Sequence, residues 1–98
     1  MKYEDGYLIM EEGDIKLMSG LKLDRIEKSY EVVRFLSGMA ELKGGMTEYL
    51  NERLSVNDRT TRQELQMEVM KLYIEICDMC SARAREAVAD AGESIQMQ

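Results

Sequence analysis

Two cysteines three residues apart are the residues of this chain whose spacing most suggests chemistry. Cys77 and Cys80 form a Cys-x-x-Cys motif, which can ligate zinc or cycle between dithiol and disulfide forms. A structural zinc ion needs four ligands, and the sequence has no other cysteine and no histidine. A redox motif opens a helix, whereas this pair lies deep inside a predicted one. We therefore predict buried, inert thiols, and a zinc ion shared by two chains stays open as the alternative.

Other arrangements of catalytic or metal-binding side chains are weaker still. Without histidine, neither a Ser–His–Asp nor a Cys–His nucleophilic set can form. The acidic run Glu11-Glu12-Gly13-Asp14 lacks the alternating ligand spacing of a calcium-binding loop. Glu27 and Glu31 stand at helical spacing on what we interpret as a solvated surface. We predict a protein that is not an enzyme, with no catalytic residue, no cofactor and no metal site.

Length and charge restrict the class of partner. A chain of 98 residues is one small domain at most, and it buries only about 60–65% of its unfolded surface. Association with another protein or with a second copy would compensate for this small core. The sequence has 13 Lys and Arg against 19 Asp and Glu, a formal charge of −6 that repels phosphate backbones. We expect a protein partner or a homodimer, and no nucleic acid.

Targeting features are absent from the predicted organisation. No segment approaches the run of about 20 apolar residues that a membrane span needs. The start of the chain is acidic where a signal peptide would be basic, and no apolar segment follows it. The sequence therefore predicts a protein that is cytoplasmic when made. Any secretion would use a route that does not depend on a signal peptide.

Apolar residues at helical spacing predict the positioning elements. A first helix is expected over about 15–36, with Asp14 as its N-cap, followed by a bend or turn within 37–45 and a short helix over 46–54. The Thr61-Arg62-Gln63-Glu64 capping box predicts a long helix from Thr61 to Ala91, closed by Gly92. Asp5-Gly6 indicates a short hairpin or an extended arm before the first helix.

These elements predict an all-α domain, either an antiparallel helical hairpin or a three-helix bundle, with a short extended N-terminal arm. The expected boundaries are an arm over 1–13, the helical domain over 14–92 and a frayed tail over 93–98. A coiled-coil-like seam is expected to join the two long helices, and the Met- and Ala-rich flank of the last helix is expected to meet a partner. The predicted seam residues are Leu23, Ile26, Tyr30, Val33, Leu65, Val69, Leu72 and Ile76, and Met79 is a further predicted interaction residue.

The central segment Leu36-Ser37-Gly38-Met39-Ala40 resembles the turn of the Trp-x-Gly family of small type VII secretion proteins. Leu36 stands in the Trp position, Gly38 in the Gly position and Ala40 in the small position that follows. The run from Gly38 through Lys43 to Leu50 is also similar to the turn region of the related LXG domains. The resemblance implies an acidic helical hairpin, turned at Leu36, Gly38 and Ala40, that is secreted with a helical partner. The family's Trp and its C-terminal export motif are missing here.

A second resemblance concerns the C-terminal part of the chain. Residues 62–98 look like the C-terminal helix of type III secretion rod and needle subunits, which polymerise through such helices. The favoured hypothesis is a non-enzymatic helical interaction module, a small secreted subunit, partner or targeting factor of a bacterial specialised secretion system of the type VII kind. The alternatives are a type III rod- or needle-like subunit or its chaperone, and an acidic phage-encoded or regulatory inhibitor.

Overall fold

The computed structural model describes residues 1–93, which form a mostly helical α+β fold in which a long helical hairpin carries a small sheet. The predicted hairpin is confirmed, but the all-α class is wrong because three short strands form an antiparallel sheet in the order β1-β2-β3. The predicted frayed tail lies, apart from Glu93, outside the described residues. The elements are β1 (Lys2–Glu4), β2 (Tyr7–Ile9), α1 (Glu12–Ser19), β3 (Ser29–Glu31), α2 (Val32–Leu54) and α3 (Thr61–Asp90).

The N-terminal residues form a hairpin that belongs to the core. Asp5 and Gly6 both have positive φ angles, 48° and 87°, as the two central residues of a tight hairpin turn require. Leu8 in β2 pairs with Tyr30 in β3 and is fully buried. The predicted arm is thus a pair of strands whose inner face packs on the helices.

The predicted first helix over 15–36 is wrong because the chain leaves the helix at Ser19, the fifth residue of that range. α1 ends at Ser19, and Lys22 adopts a left-handed φ of 56° in the turn that follows. Residues 23–28 then lead into β3. The apolar residues Leu23, Ile26 and Tyr30 fit a helical period by spacing alone, yet they pack against the core from irregular chain and a strand.

The predicted bend within 37–45 is also wrong, because α2 runs without interruption from Val32 to Leu54. Leu36, Gly38 and Ala40 therefore lie inside a helix and form no turn. Each glycine in a helix costs up to about 1 kcal/mol relative to alanine, but it does not force a break. The burial of Phe35, Leu36 and Met39 on the face of α2 that meets the core outweighs this cost.

α3 lies along α2 to complete the hairpin. Its predicted C-terminus is confirmed, since Ala91 caps the helix and Gly92 has a φ of 76°. Its N-cap is Thr60, one residue before the predicted Thr61. Within residues 1–93, none of the helices combines the length and the apolar content that a membrane crossing needs. The main core consists of Leu8, Met10, Met18, Phe35, Leu36, Met39, Cys77, Cys80, Ala84, Ala87 and Val88.

Candidate functional site

The cysteine pair lies in the core, as predicted. Cys77 and Cys80 are reduced and almost completely inaccessible. Burial raises the pKa of the Cys80 thiol to about 11, and it also raises the pKa of Cys77. Thiolate, the form that attacks disulfides and binds metals, is therefore scarce near neutral pH. Across residues 1–93, no cluster of three or more His, Cys, Asp or Glu side chains could hold a metal ion.

The most prominent surface feature is a line of large apolar side chains along α3. Leu65, Val69, Leu72 and Met79 are 62%, 41%, 57% and 49% exposed. Their spacing of four, three and seven residues places them on one face of the helix, over about 21 Å. We call these four residues the outer stripe. Single exposed leucines are ordinary, whereas an aligned set suggests an interaction surface.

The outer stripe corrects the predicted seam of the hairpin. Leu65, Val69 and Leu72 were expected to pack against the first helix, and the Met- and Ala-rich flank was expected to meet a partner. The structure has the two faces of α3 the other way round, because small side chains let α2 and the sheet approach closely. The face of α3 that is buried inside the molecule consists of Met67, Cys77, Cys80, Ala84, Ala87 and Val88.

The seam residues predicted from the first half of the chain do not form a helix–helix contact with the outer stripe. Leu23, Ile26 and Tyr30 are half-buried outside any helix. The Tyr30 ring of β3 packs on the Phe35 ring of α2, with 5.3 Å between the ring centroids. Val33 and Ala40 are exposed on α2, whereas Leu36 is buried.

α1 covers part of the side of α3 that carries the outer stripe. Asp14 in α1 accepts a hydrogen bond of 2.6 Å from Arg83 in α3. Just after the end of α1, a Cβ at Gly20 would lie 3.0 Å from Cδ1 of Ile76. α1 and its C-cap Gly20 thus run alongside residues 83 to 76 of α3 in the opposite direction. The predicted seam residue Ile76 is half-buried for this reason, while Val69, one heptad earlier, lies beyond the end of α1.

Acidic side chains border the outer stripe. Glu68 and Glu75 are exposed, seven residues apart, and each precedes a stripe residue by four positions, at Leu72 and Met79. Lys71 pairs with Glu68 at 3.0 Å, and both side chains line a cavity together with Leu65. In the part of the chain that the structure describes, no ion pair engages Glu75. Charges at these bordering positions select the partner in helix–helix contacts.

A shallow groove runs between α2 and α3 beside the outer stripe. Its volume is 370 Å³, and Tyr49 of α2 faces Leu65, Val69 and Tyr73 of α3 across it. A second, larger groove of 670 Å³ lies between α2 and the segment with Leu23, Arg25 and Tyr30. That groove includes Leu42, which gives a matched exposed leucine away from the stripe.

The surface described above has no assigned counterpart, since comparisons of the chain with protein-family models, with curated proteins and with solved structures give no match.

Proposed function

We propose that this protein is a non-enzymatic interaction module that binds a partner protein through the outer stripe of α3. The observation that carries the proposal is the alignment of Leu65, Val69, Leu72 and Met79 on one face of α3, with each side chain at least 41% exposed. Removing such side chains from water contributes about 25 cal/mol per Å² of apolar surface. A partner that covers the stripe would supply the burial that a chain of 98 residues lacks on its own.

A place in a bacterial secretion system stays a prediction from the resemblance. The residues that carry the type VII resemblance lie inside the continuous helix α2 and form no turn. The resemblance is therefore supported only by the helical hairpin and the acidic composition. The acidic-inhibitor alternative requires a continuous patch of carboxylates. The described surface instead supports an apolar contact with an acidic border, which favours a helical protein partner.

Site-specific photo-crosslinking in the producing cells tests the proposal. Benzoylphenylalanine replaces Leu72 in one variant and Leu42 in the control variant, since both leucines are exposed on a helix. We expect one discrete protein adduct from position 72 that is absent from position 42. Addition of Leu65→Gln should abolish that adduct because it removes a neighbouring contact in the stripe. No adduct at position 72, or identical adducts from both positions, would exclude the stripe as the binding face.

A further inference from the structure

The contact between α1 and α3 is the starting point for identifying the partner's shape. α1 lies against α3 from Arg83 to Ile76 and then ends, because the chain turns away at residues 20–22. The apolar face of α3 continues beyond Ile76, towards the beginning of the helix. Val69 continues the line of Ile76 and Arg83 at a spacing of seven residues, with Leu65 and Leu72 beside it. α1 thus lies against this face at Ile76 and Arg83, whereas Leu65, Val69 and Leu72 are exposed beyond its end.

The charges beside the uncovered half identify the partner's chemistry. Glu68 and Glu75 lie along the edge of the stripe that is turned away from α2. On the α2 side the neighbouring side chains are neutral, namely Tyr49, Gln66 and Tyr73. Arg62 stands only at the far end of the stripe, near the beginning of α3. A helix lying along the stripe therefore meets two carboxylates on its outer side, of which Glu68 is paired with Lys71 and Glu75 has no ion pair among the described residues.

On this basis, and resting on the proposed function, we propose that the stripe binds a single amphipathic helix with Lys or Arg beside its apolar face, seated on α3 in line with α1. Its basic side chains would form ion pairs with Glu68 and Glu75, as flanking charges do in helix pairs.

A second copy of this chain is a poorer occupant. An antiparallel pair of α3 helices centred on Leu72 brings Glu68 of each copy beside Glu75 of the other, since the two sequence numbers are nearly symmetric about 72. Two like-charge contacts at the edge of an interface oppose association. The charges that border the stripe therefore favour a basic helix over a second copy of the same surface.

Two synthetic helical peptides serve as probes. They share one leucine stripe and differ only in the flanking residues, which are Lys and Arg in one peptide and Glu in the other. Fluorescence anisotropy of labelled peptide measures the Kd for the wild-type protein at low and at high salt. We expect the basic peptide to bind at least about tenfold more tightly than the acidic one at low salt, and salt to reduce the difference.

Variants separate the apolar part of the contact from the charged part. Leu65→Gln with Leu72→Gln should abolish binding of the basic peptide, while the matched control Leu42→Gln should leave the Kd unchanged. Glu68→Gln with Glu75→Gln should remove most of the preference for the basic peptide. Circular dichroism checks that each variant keeps its helix content.

Each contrary result has a distinct meaning. Equal binding of both peptides, lost in the leucine variant, would overturn the basic partner while the proposed function stands. Failure of both peptides to bind would overturn the basic helix as a sufficient ligand. A dimer in light scattering that Leu72→Gln dissociates would overturn it in favour of a second copy. Peptide binding unaffected by the leucine variant would reject both the inference and the stripe as the binding face.

Discussion

At the scale of single residues, Asp14 is the most consequential side chain, because it is the buried charge that joins three parts of the chain. Its carboxylate accepts hydrogen bonds from the backbone N–H of Glu11 at 2.9 Å and from Arg83 at 2.6 Å, and it pairs with the amino group of Met1 at 2.7 Å. The sequence predicted Asp14 as an N-cap. It instead lies in the first turn of α1, and Glu11 is the N-cap.

Removing the charge of Asp14 should destabilise the fold. Asp14→Asn keeps the volume but leaves Arg83 without its counter-charge and the Met1 amino group with only Glu11, 3.0 Å away. The expected cost is roughly 2–3 kcal/mol in the free energy of unfolding. Asp78→Asn is the matched control, because its 2.7 Å pair with Lys43 is solvent-exposed and should contribute less than about 1 kcal/mol. Urea denaturation compares the two. Equal losses of unfolding free energy in the two variants would mean that the buried ion pairs of Asp14 stabilise the fold no more than an exposed pair does.

The same network predicts how stability depends on pH. Burial opposes ionisation of both Asp14 and the Met1 amino group, but their hydrogen bonds and mutual attraction outweigh it, so the pKa of Asp14 is lowered and the pKa of the Met1 amino group is raised. The contribution of Asp14 is complete above its unfolded pKa of about 3.9 and is lost as the pH falls through the lowered folded pKa. The contribution of the amino group is complete below about pH 7.7 and is lost as the pH rises through its raised folded pKa.

Unfolding free energy measured across the pH range should therefore form a plateau from about pH 5 to about pH 7.5 and fall on both sides. In Asp14→Asn, the acid side should flatten because the group that titrates there is gone. An unchanged acid limb in that variant would assign acid unfolding to other carboxylates.

At the scale of elements, the sequence predicts those whose local pattern and tertiary contacts agree. The Asp5-Gly6 hairpin and the Gly92 end of α3 both appear where their turn chemistry places them. The bend at 37–45 does not appear, because three glycines only weaken a helix that buried side chains hold together. Strand β3 was missed because Tyr30 pairs with residues more than 20 positions away, which no local period reveals.

The candidate site also shows that local sequence pattern does not reveal tertiary contacts. The spacing of Leu65, Val69 and Leu72 identifies them as one face of α3, and that is correct. Which of two apolar faces becomes the interior depends on how closely neighbouring elements can approach. The face with Cys80, Ala84 and Ala87 admits α2 and the sheet, whereas the leucine face does not.

The beginning of α3 gives a direct test at this scale. The structure has Thr60 as the N-cap, with its Oγ1 accepting from the Gln63 N–H at 3.2 Å and its own N–H donating to the Gln63 side chain at 2.9 Å. Thr60→Ala should cost about 1 kcal/mol of stability. Thr61→Ala, at the position that the sequence predicted, should change it by less than about 0.5 kcal/mol. A larger loss in Thr61→Ala, measured by urea denaturation, would move the cap back to the predicted position.

At the scale of the whole molecule, the helical hairpin has two different ends: a base, where the sheet and α1 pack on α2 and α3, and a tip near the loop between α2 and α3. The sheet and α1 pack with α2 and α3 around the core that includes Phe35, Cys80 and Val88. Towards the interhelical loop, the buried residues are Leu50 and Met67, which lie outside that core. The molecule measures 50 × 29 × 19 Å, as expected for a hairpin that extends beyond its base. The outer stripe lies mainly on this two-helix part.

Amide hydrogen exchange should therefore divide α3 into two regions. Segments with few buried apolar contacts open at lower free energy, so the amides of 65–72 should exchange about tenfold or more faster than those of 80–88, after correction for intrinsic rates. Bound basic peptide should slow exchange at 65–72 and leave 80–88 unchanged, because a helix on the stripe would act as the third layer that α1 provides at the base. Uniform exchange along α3 in the unbound protein would show that the hairpin opens as one cooperative unit. In that case the tip would have no separate stability for a partner to increase.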